Sequence, residues 1–349
     1  MSKAASRVTV RDIAAELGLH FTTVAEALRG SRRISRGTRE RVRATADRLG
    51  YRPDPVLSAL SAYRAHKQRH RLQGVLGWVH SHPSKNHFRK IAGFYSRCWE
   101  SAGARARQYG FEMEDIWLSQ PGMTIPRIVQ IIKARNISGL LIAPQPLGHG
   151  HIDFPWENFC AVRIGYSLRN LALPMVAPDQ FHNTFFLFQK LAERGYRRIG
   201  FACPQLVDER VDHGFSGGFL AAREQSGATG KTLPPPPLFL DADKDGSAPA
   251  FLAWFERHKP DAVMMVPGYV YHPALLKAGC RVPGDVAAGW ISTSNHDGAN
   301  RIGIDENGQK VGEAAVDMLV AQINGNAMGI IPYFRKTLID GIFVDGDTI

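Results

Sequence analysis

The stretch Thr9–Gly30, TVRDIAAELGLHFTTVAEALRG, decides how the chain is read. Thr9 with Asp12 three residues on has the spacing of a capping box, which can satisfy free N–H groups at the start of a helix. Ile13, Ala14 and Leu17 then fall on one helical face, and Gly18 supplies the stop. A second helix has to begin within two or three residues. Ala14 leaves room for it, Gly18 takes the turn, and Val24 plugs the angle between the two; Ala27 and Leu28 continue the buried face. This is the outline of a helix-turn-helix, a common way to lay a helix into the major groove of DNA.

The next segment, RISRGTRERVRATADRLGY, predicts a third helix. Ser35 is placed as its N-cap, Val42, Ala46 and Leu49 line up apolar, and Gly50 closes it. Arg39, Arg41, Arg43 and Arg48 crowd the outer face, where they suit phosphates. The charge agrees. Residues 1–71 hold 16 Lys/Arg and 6 Asp/Glu, a net of +10, whereas the remaining 278 residues hold 27 and 26. A basic terminal module on a near-neutral body is the electrostatic footprint of a nucleic-acid binder, and a solvated basic tail would lack the helical periodicity.

From Val8 to Pro53 the residues VTVRDIAAELGLHFTTVAEALRGSRRISRGTRERVRATADRLGYRP resemble, almost without gaps, the lactose/galactose-repressor family of bacterial transcription regulators. The resemblance implies that the helix opening with Phe21, Thr22, Thr23 and Val24 enters the major groove. It also implies that a hinge helix after GYRP pushes a leucine, here Leu60, into the minor groove. On this basis the DNA contacts are Thr9, His20, Phe21, Thr22, Thr23, Glu26, Arg29, Arg39, Tyr51 and Leu60. Four departures stand out. His20 replaces a serine that caps the helix and touches phosphate. Ala25-Glu26 replaces Ser-Arg, and Leu57 and Asp54 replace alanine and asparagine. Glu26 either accepts a bond from cytosine N4 or folds outward to pair with Arg29, the second reading being preferred. The basic insert AYRAHKQRHR, residues 62–71, either lengthens the hinge helix or forms a linker.

Beyond Leu72, short apolar strands alternate with amphipathic helices. Helices are expected over about 88–109, 125–135, 181–195, 215–226, 248–258 and 307–324. Strand–helix alternation with continuous apolar strands means parallel sheets covered on both faces. The division expected is a helix-turn-helix domain at 1–53, a hinge and basic linker at 54–71, and a body at 72–349. Its first lobe takes about 72–170 plus 325–349, and its second about 171–324. KLAERGYRRIGF and GIDENGQKVGEAAVDML match the family's body, a two-lobed fold like periplasmic sugar-binding proteins. The resemblance implies a homodimer on a palindromic double-stranded operator, with a small-molecule effector such as a sugar in the cleft. The cleft motifs are poor. A helix start at Gly218-Phe219 puts Phe215 where the family has arginine, whereas one at Gly214-Phe215 puts Val211 there beside Arg210. GWIS stands where an aspartate pair is usual. Phe88, Arg210, Phe215, Tyr269, Trp290 and Ser292 are the effector candidates.

Other signals point elsewhere and carry less. GFSGG, residues 214–218, has the G-x-S-x-G pattern of a hydrolase, but no apolar strand runs directly into Ser216. His149 with His151, and His80 with His82, could share a metal, yet no acidic or cysteine partner stands near in sequence, so wet loops are preferred. LPPPPL at 233–238 is a rigid connector. The four cysteines are far apart, and neither a P-loop nor a G-x-G-x-x-G occurs, so no metal and no cofactor is expected. No run of about 18 apolar residues or export signal is read, which suits a cytoplasmic protein with no membrane role. A solute-binding transport protein is the rival reading, because the body alone could be one.

Overall fold

The computed structural model describes residues 8–28, 34–51, 74–90, 93–146, 150–168, 171–227, 234–240, 247–266, 270–293, 301–331, 333 and 335–348. Three helices form the head: α1 (Val10–Leu17), α2 (Phe21–Leu28) and α3 (Arg36–Leu49). The capping box is complete. Asp12 accepts from the Thr9 N–H at 2.7 Å and the Thr9 hydroxyl at 2.8 Å, and Thr9 Oγ1 accepts from the Asp12 N–H. Those bonds hold the Asp12 carboxyl below the usual carboxylate range. Gly18 ends α1 at φ 64°, a left-handed conformation that a side chain would strain. Ser35 caps α3 by accepting from the Thr38 N–H at 3.2 Å. Ile13, Ala14, Val24, Ala27, Val42 and Ala46 are the buried core, with Leu17, Leu28, Leu49 and Tyr51 packed around it.

The body has two six-stranded sheets. The first contains β1 (Gly74–His80), β2 (Phe111–Trp117), β3 (Ile137–Ile142), β4 (Ala161–Ile164), β5 (Met175–Pro178) and a late strand, Lys336–Ile339. All its pairings are parallel, with the late strand beside β5. Its helices are α4 (His87–Lys90), α5 (Phe94–Gln108) and α6 (Ile125–Ala134). The single helix expected over 88–109 is therefore two. Gly93 separates them at φ 98°, out of reach of a continuing right-handed helix.

The second sheet begins after α7 (Gln180–Glu193) with β6 (Ile199–Pro204), followed by α8 (Gln205–Arg210) and α9 (Gly214–Gln225). β7 (Leu238–Leu240), α10 (Ser247–His258), β8 (Ala262–Met265), α11 (Tyr271–Lys277), β9 (Ala287–Trp290) and β10 (Gly303–Asp305) follow. α12 (Gly308–Gly325), the late strand of the first sheet, now β11, and β12 (Ile342–Val344) complete the chain. The order is β12-β10-β9-β8-β6-β7, parallel except where β12 runs against β10.

The lobe limits differ from those expected. β5, within the segment assigned to the second lobe, completes the first sheet. α12 also belongs to the first lobe: Val311, Ala315, Val316 and Leu319 are in its core with Cys98 and Ala102 of α5. The two helices approach so closely that a side chain on Gly312 would overlap the Ser101 hydroxyl and the Cys98 carbonyl. β12 pairs within the second sheet. The chain thus crosses between lobes at 178–180, 305–308 and 339–342. MVAP was not read as a strand because four residues closed by a proline carry almost no periodicity. Among the described residues no helix is long and apolar enough to cross a membrane.

Candidate functional site

The head presents the start of α2. Val24 and Ala27 face inward, while Phe21 is 46% exposed and Thr22 lies open beside it. His20 occupies the capping position by a different atom from a serine. Its Nδ1 lies 2.7 Å from Thr22 Oγ1 and 3.5 Å from the Thr22 N–H. An amide can only donate, so toward the Thr22 N–H the imidazole Nδ1 is the accepting atom, and Nε2 is left to face an outside group such as phosphate. The His20 ring also tilts against Phe21 at 4.6 Å, and the Arg11 guanidinium lies 6.0 Å from the Phe21 centroid.

The other head candidates divide. Thr23 and Glu26 are half-buried on α2. Thr9 has its hydroxyl proton on Asp12 and serves the cap. Tyr51 lies against the head core, and its N–H donates to the Ala46 carbonyl at 2.9 Å. On α3, Arg41 and Arg43 are exposed and Arg39 half-exposed. Arg48, read as a phosphate contact, instead pairs with Glu16 and ties α3 to α1. Arg29, Leu60 and the whole hinge and linker lie outside the described residues, as does Tyr269 of the body.

In the body, polar groups gather where strands of the two sheets end. Parallel strands present their C-terminal edges there, the usual place for a ligand in such sheets. Gln145, following β3, is the best-held of them. Its N–H donates to Ser167 Oγ at 2.9 Å, its Oε1 accepts from the Ser81 N–H at 2.8 Å, and its Nε2 donates to the Ala143 carbonyl. Across from it, Arg210 of the second lobe donates from Nη2 to the Gln145 carbonyl at 2.6 Å. His82 donates from Nε2 to the Pro144 carbonyl at 2.8 Å, and burial lowers its pKa to about 4, so it is neutral at pH 7. At the crossover, Glu306 accepts from Gln180 Nε2 and from Ser292 Oγ, and burial raises its pKa. Asp305 next to it holds Arg97 through two bonds of 2.6 and 2.9 Å.

The aromatic candidates are core. Phe88 is 2% exposed, edge-on to Trp78, His80 and His82. Trp290 is 1% exposed beside Tyr271 and Phe251, with His272 and Arg301 against its ring. Phe215 is 4% exposed on α9 and belongs to the second-lobe core that also contains Phe201 and Phe219. Arg210 and Ser292 are the described effector candidates that carry polar groups at the strand ends. Gln145, Glu306 and Gln180, which follow β3, β10 and β5, carry no signal of their own in the sequence, and neither does Tyr95 of α5, which lies within electrostatic reach of Arg210 and Glu306.

Of the three competing motifs, the His149–His151 pair falls partly outside the described residues, since His149 is not among them, and the other two resolve geometrically. Ser216 is 6% exposed inside the first turn of α9, and its hydroxyl donates to Asp208 at 2.6 Å. Asp208 also accepts from the Ser216 N–H, and His213 Nδ1 lies 2.9 Å from its Oδ2. The carboxylate therefore stands between serine and histidine, so His213 is not placed to take the serine proton. His80 and His82 are both buried. His80 Nε2 lies 2.8 Å from Asp115 Oδ1, and His82 stacks on His87 at 4.2 Å. Among the described residues no group of three or more metal-ligating side chains is found.

Comparison with known proteins agrees with this geometry. Residues 9–54 match the family model described as bacterial regulatory proteins, lacI family. The HTH-type transcriptional regulator IpsA of Corynebacterium glutamicum is 23% identical over 279 residues, covering 78% of this chain and 74% of the relative. The fold is similar to that of the transcriptional regulator CelR in its cellobiose complex, with TM-score 0.56 and 22% identity over 98% of this chain and 100% of the other. It is also similar to the lac repressor dimer bound to operator and the anti-inducer ONPF, with TM-score 0.55 and 17% identity over 98% and 99%.

Proposed function

We infer that this chain, whose head is a lacI-family helix-turn-helix domain, is a sequence-specific DNA-binding transcription regulator, with repression the favoured output. The observation that carries the reading is the start of α2. Three capped helices bury Val24 and Ala27 and leave Phe21, Thr22 and the outer edge of His20 exposed on the most basic part of the chain. Phosphate contacts then position the head, and the exposed side chains of α2 meet base edges. The DNA-contact set proposed is Thr22, Thr23, Phe21, His20, Glu26, Arg29, Arg39 and Tyr51, with Leu60 as the minor-groove wedge.

The proposed division is a head at 1–53, a hinge and basic linker at 54–71, and a two-lobed body at 72–349. The body pairs two heads on a palindromic operator, as two-fold proteins read two-fold sites. The lac repressor, of similar fold, has been solved as a dimer bound to operator, and the similar regulator CelR in complex with cellobiose, which supports this reading. A small effector in the cleft of this chain is proposed by the same analogy. A regulator of this kind works in the cytoplasm, without a catalytic role, and the arrangement around Ser216 supports that. In-vitro selection from random duplex DNA tests the reading. The full chain should return a palindromic motif whose affinity falls steeply with salt, and residues 72–349 alone should return none. Nanomolar duplex binding by the 72–349 fragment would overturn it.

A further inference from the structure

Arg97, Lys336 and Arg210 each reach from one lobe to the other, and Arg210 differs from the other two. Arg97 meets Asp305 at 2.6 Å, and Lys336 meets Asp212 at 3.0 Å. Arg210 is half-buried at the end of α8 and donates to a neutral group, the Gln145 carbonyl. No carboxylate among the described residues pairs with it. One bond to a carbonyl leaves the other N–H groups of the guanidinium without a partner among the described residues, and its charge without an ion pair in a half-buried place. Arg210 is therefore the group in the cleft with most to gain from an anion, because a charge-assisted, two-pronged pair is about twice as strong as a neutral bond.

The surroundings fit that partner. Tyr95 of α5 is close enough to Arg210 and to Glu306 to feel both charges. Burial raises its pKa, Arg210 acting against this and Glu306 with it, so the phenol keeps its proton and can donate. Its hydroxyl bonds to nothing among the described residues. Ser167 uses its oxygen to accept from Gln145, which leaves its own proton to give. Glu306 accepts from Gln180 and Ser292 and makes no ion pair with Arg210.

We propose that the cleft takes a small organic anion, its carboxylate or phosphate held by Arg210 with Tyr95 and Ser167 as donors. The proposal rests on the reading of the cleft as an effector site. It makes Gln145 the stand-in that Arg210 holds until an anion arrives, and it sets this cleft apart from one built for neutral sugars.

Calorimetric titration of the full-length chain with matched pairs tests it: D-galactose against D-galacturonate for a carboxylate, and D-glucose against D-glucose 6-phosphate for a phosphate. At least one acid should bind tenfold or more tightly than its neutral partner. Arg210→Gln should remove that preference, Arg210→Lys should keep a weakened part of it, and Tyr95→Phe should lower acid affinity several-fold. Equal binding within both pairs, or an acid preference that survives Arg210→Gln, overturns the proposal. The same preparation is carried through DNA selection. A chain that selects a motif yet shows no acid preference overturns this inference and leaves the regulator reading intact. One that prefers the acid yet selects no DNA supports this inference and overturns the regulator reading.

Discussion

Replacing Phe21 with alanine should cost this protein much of its affinity for a thymine-containing operator, by an amount that can be worked out beforehand. The ring is 46% exposed at the first position of α2. A phenylalanine side chain covers about 150–250 Å² when fully buried, so roughly 90 Å² of it is left for a partner to cover. At ~25 cal/mol per Å² this gives about 2 kcal/mol per head, or ~30-fold in affinity. Two heads on a palindrome double the energy to about 4 kcal/mol, or ~1000-fold. The apolar feature of the major groove is the thymine C5-methyl, so the ring should favour thymine at one symmetric pair of positions. Uracil in place of that thymine removes the methyl and nothing else. The cost should be about 0.8 kcal/mol per half-site, roughly fifteen-fold over both. Fluorescence anisotropy at one fixed salt concentration, on the duplex returned by selection, measures both numbers. Phe21→Ala binding with unchanged affinity, or insensitivity to uracil at every position, would refute the reasoning and leave Phe21 a surface aromatic held by His20 and Arg11.

Three further outcomes are expected. Glu26→Gln should strengthen binding to all sequences about equally if the carboxylate only repels phosphate; a relaxed preference at one pair of positions, worth roughly 1–3 kcal/mol, would instead make Glu26 a base reader. Gly312→Ala should lower stability by about 1–3 kcal/mol, because α5 and α12 must separate to admit the methyl; an unchanged denaturation midpoint would show that the contact yields freely. The depressed Asp12 carboxyl contributes stability that is present above its unfolded pKa and lost as pH falls through the folded one. The head's melting temperature should therefore drop on acidification more in wild type than in Asp12→Asn, and parallel acid limbs would contradict this.

The head was legible because its rules are local. Thr9 with Asp12, Gly18, Ser35 and Gly50 each act within five residues, and each is found at the helix end it predicted. Even so, the same local reading assigned Arg48 to phosphate when its partner, Glu16, stands 32 residues away on another helix. In the body, alternation revealed two parallel sheets but not their membership. β5 is too short for a period, and nothing in the run of α12 says which lobe it covers. The cleft was least legible. Candidates chosen for being aromatic went to the core, where large apolar surface is most stabilising. Gln145 follows β3, Tyr95 lies on α5 and Glu306 follows β10, so only the folded chain brings Arg210 to Gln145 and Tyr95 within reach of both Arg210 and Glu306.

The three crossings between lobes have a consequence for how the protein is made. The head closes its core with residues no later than Tyr51, all near neighbours in the chain, so it can fold as soon as it leaves the ribosome. Neither lobe can follow at once. The first awaits α12 and β11, and the second awaits β12, within the last 50 residues. At about 5–20 residues per second, synthesis from Tyr51 to the end of β12 at Val344 takes roughly 15–60 s. During that interval a finished DNA-binding head is tethered to two incomplete sheets with open edges and no partner copy. On the proposed reading, in which the body pairs two heads on one site, a single head lacks the second half-site that makes binding tight, and the nascent chain would stay off DNA until β11 and β12 have closed both sheets.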